Sequence, residues 1–105
     1  MTGIDPTIVI ERMAGGLRSA GAAHPVAGAV ALAARGHVRL EQREFAATAG
    51  YPVEHIRSTE LGEVAFGDLP AHVGSAALAL GADLLALADL EQAWRTESGG
   101  GTHEV

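Results

Sequence analysis

The chain has no cysteine, which excludes a disulfide framework and any thiolate metal site and fits a reducing cytosol. It has no lysine either: all seven basic residues are arginine, and with abundant Ala and Gly this reflects genome base composition as readily as function. Aromatic residues make up 4% against 48% hydrophobic residues, so the core must be built of Ala, Leu and Val. Side chains that small let helices approach closely and point to an all-α domain. No uninterrupted apolar run reaches the roughly 18 residues a membrane span needs. No charged n-region precedes an apolar h-region and a small-residue cleavage site, so no signal peptide is expected and the expected location is cytoplasmic. Positive charge is scarce, and a net charge of −6 argues against a simple binder of duplex DNA, whose affinity is largely phosphate neutralisation. The distribution answers part of that objection: residues 1–57 carry +1 and residues 58–105 carry −7, so the acidity can face away from a nucleic acid.

At 105 residues the chain is read as one helical unit with two appendages. Residues 1–24 form an N-terminal extension with one helix over 7–19. Asp5 caps it, Pro6 opens it, and Ile8, Val9, Met13 and Leu17 line one face, while Gly15 and Gly16 weaken it. Gly16 and Gly21 have phosphate-loop spacing, but Ala22 and Ala23 stand where Lys and Ser/Thr are required, so that reading is rejected. Residues 25–95 form the main domain. Pro25 starts a helix over 26–35 that is apolar on nearly all sides and therefore central, and Gly36 ends it. Residues 63–67 are a loop with Val64 and Phe66 turned inward. Asp68 caps a helix over 69–80 that Gly81 stops, and Asp83 caps a last helix over 84–94. Leu84, Leu85, Leu87, Leu90 and Trp94 exceed what one face of that helix needs, which predicts a partner surface, most simply a second copy. The N-terminal helix either covers its own core or makes a dimer contact. Residues 96–105, with Ser98 and three glycines, are expected to be a flexible tail.

The most specific stretch is 35–62. Phe45, Ala46 and Ala49 recur at helical spacing, as do Val53 and Ile56, and the two segments flank Gly50-Tyr51-Pro52. A helix stopped by Gly and restarted almost at once is a helix-turn-helix, which can push its second helix into a major groove. Arg35, Leu40, Gln42, Phe45, Ala46, Gly50, Ile56, Glu60 and Gly62 fall without gaps on the spacing of the Cro/C1-type (XRE-like) helix-turn-helix, with Phe45 for the usual leucine. Residues 79–84, Ala-Leu-Gly-Ala-Asp-Leu, resemble that family's join between its fourth and fifth helices, so the resemblance spans roughly residues 27–90.

The resemblance implies an all-α domain of five to six helices, here with an extra N-terminal helix. It implies a structural pair, Arg35 with Glu60, that ties the first family helix to the end of the recognition helix. It also implies that Gln42, Val53, Glu54 and Ser58 meet DNA, with His55 and Arg57 on or near the same face. Gln42 is expected to contact phosphate or support a neighbouring side chain, and Arg43 and Arg57 to contact phosphates. Val53 can touch a thymine methyl and Glu54 can accept from cytosine N4.

The expected function is therefore a small transcriptional regulator that reads double-stranded DNA at an operator as a homodimer, through the 84–94 helix or the N-terminal one. The alternative is an adaptor or antitoxin-like module that uses the same fold to bind a protein. Pro52, Val53 and Glu54, where relatives carry Ser/Thr and amide or basic residues, and Leu61 beside them lead to that second reading. The five histidines (24, 37, 55, 72, 103) form no metal-ligand spacing, and Ser19, Ser58 and Ser75 lack a nucleophile-elbow context. No catalytic residue, metal or cofactor is expected.

Overall fold

Asp5 turns its carboxylate back onto the chain, where Oδ1 accepts from the Thr7 N–H at 2.9 Å, and Pro6 fills the first helical position that needs no donor. Helix α1 (Pro6–Ser19) follows, in a computed structural model that describes residues 5–103, with side chains as far as Glu97. Gly15 and Gly16 do not break it. Its buried side chains, Ile10 and Ala14, lie against α2 (Pro25–Val38).

Helix α2 is the centre of the molecule: α1, α4, α5 and α6 all pack on it. Val26, Ala27, Ala29, Val30, Ala31 and Ala34 are buried, so the near absence of polar residues along it is used on every side. The helix passes through Gly36, where it was expected to stop, and ends at Val38. Glycine inside a helix costs only about 1 kcal/mol relative to alanine. The left-handed turn that does end α2 falls at Arg39, with φ of 59°. Arg35 holds that turn in place, its Nη1 donating to the Leu40 carbonyl at 2.9 Å.

The first turn of α2 is capped from far along the chain. Glu91 Oε1 accepts from the Val26 N–H at 2.8 Å and the Ala27 N–H at 3.3 Å, while Oε2 lies 3.2 Å from His24 Nδ1. Next to it, the His24 N–H donates to the Gly62 carbonyl at 2.7 Å. The backbones meet closely enough here that a Cβ on Gly28 would fall 2.9 Å from the Gly62 nitrogen.

Helices α3 (Gln42–Ala49) and α4 (Val53–Glu60) come next, then a 3₁₀ turn at Phe66–Asp68, α5 (Ala71–Leu80) and α6 (Leu84–His103). The α5 helix begins two residues later than the expected 69, because Asp68 closes the 3₁₀ turn and Pro70 takes the N-cap position. Asp83 does cap α6, its Oδ1 accepting from the Ala86 N–H at 3.0 Å. That helix runs past 94 to His103, so residues 96–103, expected as a flexible tail, are helical. Two contacts join the stretch to Glu97 with α1: Arg18 pairs with Glu97 at 2.9 Å and lies over the Trp94 ring.

The fold is all-α, with six α-helices among the described residues. Phe45, Ile10, Ile56, Leu87, Val26, Val30 and Val73 are its largest fully buried apolar side chains. Among the described residues no single helix is long and apolar enough to cross a membrane.

Candidate nucleic-acid interface

The corner between α3 and α4 is made by Gly50, whose φ of 78° a Cβ-bearing residue would resist. Its N–H and that of Tyr51 turn back to the end of α3, Tyr51 donating to the Ala46 carbonyl at 3.0 Å. Pro52 then sits as N-cap with extended backbone, and α4 departs at a new angle. Ile56, Thr59 and Glu60 form its buried side. At the start of α3, Glu44 accepts from the Glu41 N–H at 3.0 Å, the carboxylate half of a capping box.

Arg35 and Glu60 are brought together. Arg35 Nε donates to Glu60 Oε2 at 2.5 Å and Nη2 to Oε1 at 3.1 Å, a bidentate pair in which Glu60 is 5% exposed. Gln42 completes the cluster, its Nε2 donating to Glu60 Oε1 at 2.8 Å. The carboxylate thus gathers donors from α2 and α3 onto the last turn of α4, fixing three helices at one point. The hydrogen bond to Glu60 raises the Arg35 pKa above its ordinary value, with burial opposing and the Glu60 and Glu41 charges assisting.

The remaining residues named from the sequence divide by exposure. Arg43, Glu54 and Arg57 are exposed, and Val53, His55 and Ser58 are half-buried. Val53 packs against the core with its inner surface. His55 stacks on the Tyr51 ring, centroids 4.9 Å apart and planes inclined by 16°. Gln42 faces the Arg35–Glu60 pair, so its amide supports a neighbour. An open groove between the starts of α3 and α4 brings Gln42, Arg43, Val53 and Arg57 together, and Glu41 and Glu44 line it as well. From the sequence these two glutamates are not expected contacts; with Glu54 they are the residues whose interruption of a positive face of Arg39, Arg43 and Arg57 would favour the adaptor. The Glu41-x-x-Glu44 spacing, the signature of a helix start, places both at this mouth.

The face is therefore of mixed sign. Arg43 and Arg57 are set among Glu41, Glu44 and Glu54, and the exposed Leu61 lies just beyond. Such a surface can make a few guanidinium–phosphate contacts and present carboxylates and apolar carbon between them. No pair in it has the contact of a nucleophile with a base. Compared with family models, curated proteins and solved structures, the chain matches none of them.

Proposed function

We infer that this is a DNA-binding regulator of the XRE-like helix-turn-helix type, which lays the N-terminal half of α4 in a major groove and acts as a homodimer. The observation that carries the reading is the brace: Arg35, Gln42 and Glu60 hold α4 at a fixed angle while its Glu54 and Arg57 side chains stay in solvent. A rigid, outward-facing helix of this kind is what groove docking requires. Arg43 and Arg57 take phosphates, Val53 and Glu54 meet base edges, and the glutamates at the groove mouth restrict binding to geometries that keep them off the backbone.

Fluorescence anisotropy with duplexes from the protein's own promoter region, measured across salt concentrations, tests this. Arg43→Ala and Arg57→Ala should each weaken binding on every sequence and reduce the salt slope by about 1. Absence of binding at low salt would sink the reading. The mixed-sign groove and exposed Leu61 would then favour the adaptor or antitoxin-like module, and a co-purifying protein whose capture is lost in Leu61→Glu would identify it.

A further inference from the structure

A crevice of about 270 Å³ opens between the end of α1, the loop that joins it to α2, and the outer half of α6; none of its lining residues belongs to α3 or α4. Charge there runs against its surroundings. Residues 58–105 contain eight acids and a single arginine, and that arginine, Arg95, lines the crevice together with Arg18. Arg95 is exposed and makes no ion pair among the described residues. The Arg18 guanidinium lies 4.4 Å from the centroid of the Trp94 ring, and its partner Glu97 is exposed, so that pairing holds weakly. Glu91 forms the inner wall, but its charge is already met by the α2 N–H groups it caps and by His24. Ala22 and Ala23 line it and bring no charge.

Two guanidinium groups, one of them laid over an indole, beside two alanines constitute a recognisable chemistry. Guanidinium binds carboxylate through paired N–H···O bonds, and a guanidinium plane also stacks on aromatic faces. The volume lies just under the range of about 300–1,000 Å³ usual for small-ligand pockets, which limits the occupant to about a single ring. The geometry points to a binding site for a small aromatic monocarboxylate, its carboxylate on Arg95 and its ring over Ala22, Ala23 and the Arg18 guanidinium that covers Trp94. This site stands independently of what α4 contacts.

Trp94 is the only tryptophan in the chain, so its fluorescence reads the crevice directly. The intact protein is titrated with benzoate at constant ionic strength, and in parallel with benzamide, which has the same ring and no charge. Benzoate should give a saturable change and benzamide none. Arg95→Gln should weaken benzoate binding at least about tenfold, the loss expected for one hydrogen bond to a charged group. Ala23→Leu, which fills the crevice and leaves both guanidiniums in place, should abolish it, and circular dichroism establishes that each variant keeps its helices. A linear response, an equal response to benzamide, or unchanged affinity in a folded Arg95→Gln or Ala23→Leu protein overturns the site.

Discussion

Arg35 stabilises the protein chiefly by what its loss would leave behind. Glu60 is 5% exposed, and without the guanidinium its charge would sit in the interior with only Gln42 as donor. Removing one partner of a buried pair typically costs about 3–5 kcal/mol, whereas replacing both by apolar groups is far milder. Arg35→Ala is therefore expected to lose about 3–5 kcal/mol in urea denaturation. Arg35→Leu/Glu60→Leu should lose clearly less than its two single changes together, and strict additivity would show that the pair is not coupled. The pH dependence has a definite sign. The Arg35 pKa is raised in the folded state, so its contribution is complete below the unfolded value and disappears only as pH climbs through the folded one. The difference in urea midpoint between wild type and the double variant should accordingly stay level from neutral to mildly alkaline pH.

Two glycines separate backbone conformation from crowding. Gly50 and Gly62 have nearly equal φ, 78° and 81°, but a Cβ on Gly50 would meet nothing within 4 Å, while one on Gly62 would lie 2.7 Å from the Ala22 Cβ. Gly50→Ala should cost about 1 kcal/mol for the left-handed backbone alone. Gly62→Ala adds an overpacking term, for about 2–4 kcal/mol in all. Equal losses in thermal or urea melts would mean that the α1–α2 loop yields freely to the end of α4.

At the scale of elements, what was legible in the sequence was what is decided locally. The bounds of α3 and the start of α4 follow from Gly50 and from apolar spacing over a few residues, and α1 follows from Asp5-Pro6. Where distant groups decide, local signals misled. Gly36 reads as a stop, yet the Arg35 bond to the Leu40 carbonyl helps carry the turn to Arg39. Trp94 reads as the end of α6, yet the helix continues, and Arg18, near the other end of the chain, touches it at Trp94 and Glu97. The glycines of 99–101 signal a loop, and nothing among the described contacts explains their helical backbone. In the candidate site, exposed positions could be inferred from helical period and Glu41, Glu44 and Glu54 could be named as able to break a positive face, but that they stand among Arg43 and Arg57 depends on how α3 and α4 are set together. The Glu91 cap on α2 could not be found at all, because 65 residues separate carboxylate from N–H and no motif links them. Glu91→Ala should cost about 2–4 kcal/mol, since two N–H groups at a buried helix start lose their acceptor. Glu91→Gln keeps an oxygen there and should cost less. If the two variants melt alike, the carboxylate's pairing with His24 matters more than the cap.

For the molecule as a whole, the surplus of leucines on α6 is largely used within the chain. Leu87 is buried, and Leu84, Leu90 and Trp94 pack against the core, which leaves Leu85 at 82% exposure. Leu85 is not isolated. The Thr7 hydroxyl accepts from the Asp83 N–H at 2.9 Å, so the first turn of α1 meets the corner between α5 and α6. Within a few residues of that corner lie Ile8, Val9 and Leu78, exposed by 45%, 37% and 62%. Exposed apolar side chains drawn from the N-terminal helix and the last two helices would supply a face for the homodimer proposed above. In a two-fold interface every substitution acts twice, and burying a leucine contributes about 1.5–3 kcal/mol, so Leu85→Glu should weaken self-association at least about a hundredfold. Leu61→Glu, at the far end of α4 and 54% exposed in the starting protein, serves as the control and should leave association unchanged. Sedimentation equilibrium distinguishes the outcomes. A dimer lost in Leu61→Glu and kept in Leu85→Glu would move the interface to the α4 side, where it would compete with DNA for the same surface.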